Sequence, residues 1–333
     1  MKKALSILTA GCLAVSLAAC GSTAASSAAS AADSTASSAA ESTAASDTAA
    51  ADGQTYKVGI CQLVQHVALD AATQGFKDAL TEQLGDAVTF EEKNAQGDSN
   101  TCSTIINGFV SDNVDLILAN ATPALQAAQA GTNTIPVLGT SVTEYGVALG
   151  IDDFDGLVGT NISGTSDLAP LDEQAGIIKE LFPDAKTVGL LYCSAEANSQ
   201  YQVDTVKASL EELGYTCEYY AFSDSNDLAT VCQSAADASD VIYVPTDNTV
   251  ANNTEIVNNI CQPADVPVVA GEEGIMCGCG VATGKMAAKI LTGESKVEEM
   301  PIEYAPEFTK EYNPTIAEAL GITIPDDYVA YEG

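Results

Sequence analysis

Polar side chains suited to holding a small molecule gather in six short stretches of this sequence. Gln62-Leu63-Val64, Asn120-Ala121-Thr122-Pro123 and Gly139-Thr140-Ser141 lie in the first half. Cys193-Ser194-Ala195-Glu196-Ala197-Asn198-Ser199, Pro245-Thr246-Asp247-Asn248-Thr249 and Gly271-Glu272-Glu273 lie in the second. Hydroxyls, amides and carboxylates bind by hydrogen bonds and charge without making or breaking a covalent bond. Ser, Thr, Asp and Asn are also the favoured helix N-caps, and capping accounts for half or more of these residues. It does not account for the four polar groups packed into Thr246-Asp247-Asn248-Thr249. Covalent chemistry has little to work with. His66 is the only histidine and has neither a nucleophile elbow nor a second metal-binding histidine beside it; it is expected to border a cleft or cap the following helix. Cys277-Gly278-Cys279 supplies two metal ligands at most and reads as irregular loop, and no EF-hand spacing occurs, so no metal is expected. The sequence lacks a phosphate-binding glycine fingerprint, so neither a cofactor nor enzymatic activity is expected.

These stretches sit where short apolar runs end. Tyr56 to Leu63, Val88 to Glu92, Val114 to Ala119 and Ile135 to Gly139 read as strands. Between them, helices are expected from Ala68 to Leu84, from Asn100 to Ser111 and from Thr122. The order repeats downstream with strands at Lys186–Tyr192, Thr216–Phe222, Val241–Val244 and Val266–Ala270. The intervening helices are expected at Glu196–Leu213, Asp227–Ala238 and Thr249–Cys261. Strict alternation with short apolar strands predicts parallel sheets covered by helices on both faces. Two such runs, split near Gly159 to Thr165, predict an α/β protein of two doubly wound lobes. In open sheets of this kind, ligands bind beyond the carboxyl ends of the strands, where the polar stretches fall.

The amino terminus predicts export. Lys2 and Lys3 precede an apolar run, Ala4 to Val15, too short to span a bilayer, and Leu17-Ala18-Ala19-Cys20 follows. Leu-Ala-Ala before a cysteine, then Gly21 and Ser22, resembles the lipobox of bacterial lipoproteins, in which Cys20 becomes the lipidated first residue. Residues 1–19 are then a signal peptide. Residues 20–54 are the lipidated cysteine and a Ser/Ala/Thr leash, unable to bury enough apolar surface to order itself and spanning roughly 30 Å as a coil.

Composition narrows the partners. The formal net charge is −34 with no arginine, which excludes nucleic acid as a partner because phosphate binding needs clustered cations. About 280 residues after the leash are more than one core usually covers. Eight cysteines remain after Cys12 and Cys20, scattered through a chain large enough to fold without staples, and they are expected as reduced, buried thiols.

Longer motifs carry a resemblance to a known family. Val58-Gly59-Ile60-Cys61-Gln62-Leu63-Val64-Gln65-His66 with Ala68-Leu69-Asp70 is similar to the opening of bacterial ABC-transporter substrate-binding lipoproteins. So are Asn94-Ala95-Gln96-Gly97-Asp98, Ala121-Thr122-Pro123-Ala124, Gly164-Thr165-Ser166-Asp167, Ser194-Ala195-Glu196-Ala197-Asn198-Ser199 and Tyr243-Val244-Pro245-Thr246-Asp247-Asn248. The resemblance runs from about Tyr56 to Pro325. It implies the type I periplasmic-binding-protein fold, with two lobes joined by three crossovers, and a ligand of the amino-acid class, notably an aromatic one. It further implies an ABC permease and its ATPase as partners, a lipid anchor on the outer face of the cell membrane, and a monomer. Residues 55–160 with about 284–333 would form the first lobe and residues 161–283 the second. An amino-acid carboxylate, with no arginine available, calls for Thr122 and Ser141 in the first lobe and Ser194, Asn198 and Ser199 in the second, aided by helix N-termini. The ammonium calls for Asp247, then Glu273, with Thr246 beside them. Gln62, Leu63 and Val64, with Tyr145, would line the side-chain pocket.

One departure from the family stands out. After Gly280-Val281-Ala282-Thr283, relatives continue along a further strand before the helix that opens like Gly284-Lys285-Met286-Ala287, whereas here Thr283 and Gly284 are joined directly. About a dozen residues are absent, so the third crossover is expected to be shortened and ligand binding weakened or lost. The alternative is that Cys277 to Thr283 supplies that strand. A receptor reporting to a membrane kinase is the other functional alternative.

Overall fold

The computed structural model describes residues 54–271, 276–304 and 308–331, with residues 276–278 described by their backbone alone. The cysteine expected to carry lipid, Cys20, and the leash lie outside the described residues, as does Glu273.

In chain order the elements are β1 (Tyr56–Gln62), α1 (Val67–Leu84), β2 (Val88–Asn94), α2 (Ser99–Ser111), β3 (Leu116–Asn120), α3 (Thr122–Gly131), β4 (Val137–Val142), α4 (Tyr145–Leu149) and β5 (Ile162–Ser166). Next come α5 (Leu171–Leu181), β6 (Thr187–Cys193), α6 (Ala197–Glu212), β7 (Thr216–Phe222), α7 (Ser225–Ala238), β8 (Val241–Val244), α8 (Asn248–Ala251), α9 (Thr254–Cys261) and β9 (Val268–Ala270). The chain then runs through α10 (Met276–Leu291), β10 (Glu303–Tyr304), β11 (Glu311–Tyr312), α11 (Pro314–Leu320) and β12 (Val329–Ala330). One parallel sheet has the order β10-β5-β4-β3-β1-β2 and a second the order β7-β6-β8-β9.

The central strands of each sheet are buried on both faces, because alternate strand residues feed opposite cores. Ile117 and Ala119 join the apolar cluster under α2 and α3, whereas Leu116 and Leu118 join the one under α1 and α10. In the second lobe Val188, Leu190 and Tyr192 face α5 and α6, while Leu191 and Cys193 face α7 and α9. The seven cysteines whose side chains are described are free and buried.

Four expectations change. Ile162–Ser166, which overlaps the split expected near Gly159 to Thr165, is a strand of the first sheet paired with β4, so the passage to the second sheet follows Ser166. Its polar residues are satisfied from elsewhere in the chain, Ser163 Oγ donating to the Met300 carbonyl at 2.9 Å. The helix expected over Thr249–Cys261 is broken at Asn252 and Asn253, where Asn253 Nδ2 donates to the Thr249 carbonyl at 2.8 Å and competes with helical pairing. The tail expected in the first lobe lies against α5: Lys310 Nζ bridges Glu180 and Asp327, each at 3.1 Å, and the Tyr328 hydroxyl also donates to Glu180.

The fourth change concerns the third crossover. Cys277 to Thr283 is neither loop nor strand but the first half of α10, and the chain covers the distance from β9 to that helix with residues 271–275. Gly280 and Gly284, one turn apart, lie against the α1 backbone: a Cβ on Gly280 would overlap the Ala72 carbonyl, and one on Gly284 would come within 2.6 Å of the Phe76 carbonyl. Two helix backbones meet this closely only where side chains are absent. Thr283 Oγ1 donates to the Cys279 carbonyl at 2.8 Å and meets Thr165 Oγ1 at 2.8 Å, pinning the new first half to β5.

Replacing Gly280 by alanine must push α10 off α1 and should cost about 2 kcal/mol or more, read as a lower thermal midpoint. Gly176, exposed on α5 with open space where a methyl group would sit, is the control. Gly176→Ala should leave stability unchanged or raise it by up to about 1 kcal/mol.

Candidate functional site

The carboxyl ends of both sheets face a cavity of about 280 Å³. Leu63, Val64, Asp98 and Pro123 line it from the first lobe, and Glu196 and Asn248 are among its walls from the second. His66 makes no cap bond to α1; its Nε2 lies 3.3 Å from Oδ1 of Asn248, a wall residue of this cavity in the opposite lobe. Burial holds the His66 imidazole below its ordinary value, the Asn248 contact opposing.

In the first lobe, Gln62 supports the wall from behind. Its Nε2 donates to the Val64 carbonyl (2.8 Å) and to Asp70 Oδ1 (2.7 Å), and its Oε1 accepts from Thr73 Oγ1 at 2.6 Å. Thr122 opens α3 and Ser141 sits one strand over, at the end of β4. Both hydroxyls are buried, and neither has a hydrogen-bond partner. The backbone is strained beside both: Ala121 has φ 89° and Ser141 φ 54°, left-handed conformations that non-glycine residues adopt at a cost and that cluster at functional sites. Tyr145, expected on the pocket wall, instead fills the core. Its hydroxyl donates to the Thr165 carbonyl at 3.1 Å, and Gly139 and Gly164 leave it room.

In the second lobe, Asn198, Ser199, Thr246 and Asp247 come together. Asn198 Nδ2 donates to the Thr246 carbonyl at 2.9 Å, and the Ser199 hydroxyl reaches the same oxygen at 3.5 Å. The Thr246 hydroxyl donates to the Gly271 carbonyl at 3.4 Å. Asp247 accepts from the backbone N–H of Cys193 (2.7 Å) and of Val250 (2.9 Å), so both its oxygens tie the β6 end to α8. Burial, with Glu196 nearby, pushes its carboxyl up to about 7. Ser194 does not join this group; it is exposed and donates to the Phe222 carbonyl at the end of β7.

Two residues escaped sequence reasoning. Glu196, buried, accepts from the backbone N–H and side chain of both Asn248 and Thr249 at 2.7–3.1 Å, and so fixes the loop that meets His66. Its signal was its place in a polar stretch, hidden among cap-forming neighbours. Asp167 follows β5, is fully buried, and neither carboxylate oxygen has a well-formed hydrogen bond. Burial raises its carboxyl to about 6, with the Thr143 hydroxyl only partly opposing. Among the described residues, six have buried side-chain polar atoms without partners. Five of them, Asn120, Thr122, Ser141, Asp167 and Asn198, lie at the carboxyl ends of β3 to β6 or just beyond. Buried polar atoms are otherwise nearly always paired, so this concentration makes the strand ends the candidate site.

Two parallel α/β lobes with facing polar strand ends define a solute receptor of the type I periplasmic-binding-protein fold. The chain belongs to the ABC transporter substrate binding protein family, whose model matches residues 57–332. It is a substrate-binding protein of that transporter class, and such proteins work outside the cytoplasm. No helix among the described residues is long and apolar enough to cross a membrane. The chain is 35% identical over 260 residues to a tyrosine-binding protein of Clostridioides difficile (strain R20291), covering 74% of this chain and 75% of that relative. A Streptococcus pneumoniae ABC domain in complex with L-Trp matches with TM-score 0.77 and 32% identity, over 82% of this chain and 97% of that one. The ligand-free, open structure of a Clostridium difficile substrate-binding protein with adhesive properties is 37% identical, over 84% of this chain and all of that one, yet has a TM-score of 0.61.

Asp167 gives a pH signature. Its folded pKa, about 6, lies above the ordinary 3.8, so its burial destabilises the fold progressively as pH rises from about 4 to 6, and fully above that. Asp167→Asn should therefore raise unfolding free energy by on the order of 2 kcal/mol near neutral pH and leave it unchanged near pH 4, measured by denaturant titration.

Proposed function

We propose that this protein captures a free amino acid with an aromatic side chain, such as tyrosine or tryptophan, between its lobes and delivers it to an ABC permease and its ATPase. The observation that carries the reading is the set of buried, unpartnered polar atoms at the strand ends. A zwitterion supplies both missing partners. Its carboxylate accepts from the Thr122 and Ser141 hydroxyls and from the N-terminus of α3. Its ammonium donates to Asp167, ahead of Asp247, whose oxygens already hold two backbone N–H groups. Leu63, Val64 and Pro123 offer apolar surface for a ring. The tyrosine-binding relative and the L-Trp complex support the aromatic class. The neutral donors suit a chain without arginine. Cys20 carries the lipid that holds the receptor on the outer face of the membrane, the leash leaves the head free to reach the permease, and the head works as a monomer.

One observation favours a binding-impaired relative as a second reading. The second sheet stops at the three-residue β9, with only residues 271–275 between it and α10. The shortening expected from the family pattern falls at this crossing, beside the position of Glu273.

Thermal unfolding against a panel of amino acids decides between the two readings. An aromatic amino acid at about 100 times its dissociation constant should add about 2.7 kcal/mol, a rise of several degrees. Asn198→Ala and Asp167→Asn should each remove most of that rise. No shift with any amino acid, from protein that melts cooperatively, would overturn the amino-acid reading, and a rise that appears once a family-like insert is restored before Gly284 would establish the impaired one. Cys20→Ser should move the protein from the membrane fraction to the medium or periplasm, detected by fractionation and immunoblot.

A further inference from the structure

Two pairs of buried thiols, one in each lobe, take no part in the site just described. In the second lobe Cys232, in the middle of α7, and Cys261, the last residue of α9, have their sulfurs 3.7 Å apart inside the apolar cluster beneath those helices. In the first lobe Cys61 on β1 and Cys102 in the first turn of α2 are both buried in the corresponding cluster, close enough that each thiol shifts the other. The remaining described thiols make different contacts. Cys193 and Cys279 each donate to a backbone carbonyl at 3.6 Å, those of Ser223 and Ser166. Cys217 lies opposite Val188 in the sheet, whereas Cys193 lies opposite Phe222, so five residues of strand, roughly 16 Å, separate the two.

We infer that Cys61–Cys102 and Cys232–Cys261 are two specific disulfide sites, one per lobe, formed by exchange with an oxidant that itself carries a disulfide. The protein works outside the cytoplasm, where such oxidants persist. Each pair has a member at a helix end beside exposed chain: residues 262–265 follow Cys261, and exposed Ser99 and Asn100 precede Cys102. Fraying of one helical turn therefore admits the oxidant. In each pair the two thiols act on one another. Cys232 holds the Cys261 thiol below its ordinary value, and Cys61 does the same for Cys102. The member at the helix end is thus also the better thiolate. The Cys261 thiolate attacks one sulfur of the oxidant, breaking its S–S bond and expelling a thiolate. Cys232 then gives up its proton, and its thiolate attacks Cys261 Sγ in the mixed disulfide, expelling the second thiolate. Two protein thiols are oxidised to one disulfide, and the oxidant is reduced to two thiols that take up the two protons. The first-lobe pair follows the same course, with Cys102 attacking first.

The test uses the full-length protein, reduced, incubated with glutathione disulfide, trapped with iodoacetamide in denaturant and digested without reduction for mass spectrometry. The expected result is two cross-linked peptide pairs, 61–102 and 232–261, each link removing two hydrogens, with Cys193, Cys217 and Cys279 alkylated. Cys232→Ser should lose its own link, keep 61–102 and retain glutathione on Cys261. Cys61→Ser should do the converse, with glutathione on Cys102. Because each variant keeps the other lobe's link as an internal control, a misfolded variant is recognised by loss of both. Complete alkylation of all thiols in the oxidised wild-type protein, or links in other combinations, overturns the inference.

Discussion

The fold depends on the contact between α1 and α10. The chain leaves the second sheet at Ala270 and reaches α10 at Met276, so it has little slack with which to re-enter the first lobe. What secures the return is the bare face made by Gly280 and Gly284, which lets the backbones of α10 and α1 approach until each lies against the other. The same helix then supplies Met286, Ala287 and Ala288 to the core beneath the first sheet. Thr283 and Cys279 reach sideways to β5. One glycine-lined seam thus joins the end of the third crossover, the back of the first sheet and the strand that carries Asp167.

The site draws on that rigidity. The groups proposed to meet a ligand are buried atoms without partners and backbone held at positive φ, and both cost stability unless their surroundings leave no alternative. Those surroundings are visible in each lobe. Tyr145 fills the space left by Gly139 and Gly164 behind β4 and β5, and the Gln62–Thr73–Asn120 network braces the loop after β1. In the second lobe Glu196 and Asp247 collect the N–H groups of the loops that face the cleft. Carboxylates that look in sequence like ligand contacts here hold loops in place.

Most of this architecture was legible from pattern. Val114 to Ala119 and Tyr56 to Leu63 announce buried strands because their apolar residues serve both faces, and the polar stretches after them announce the ligand-facing ends. What escaped depends on distant partners. Ile162–Ser166 has one aliphatic residue in five and becomes a strand because the Met300 carbonyl and β4 satisfy it. Cys277-Gly278-Cys279-Gly280 reads as loop until α1 is present to make a glycine face an advantage. Asp167 carries no local mark, since its burial is created by Tyr145 and Cys279 from elsewhere in the chain.

The single histidine has a kinetic meaning. His66 meets Asn248 across the cleft at 3.3 Å, and burial favours the neutral form of its ring. A neutral imidazole facing an amide is a contact of about 1 kcal/mol, where an ion pair excluded from water would be stronger. So weak a contact does little to hold the lobes together at this point and leaves more of the closed state's lifetime to whatever lies between them. Residence time becomes a property of the cargo rather than of the receptor, which suits a protein that must surrender what it holds.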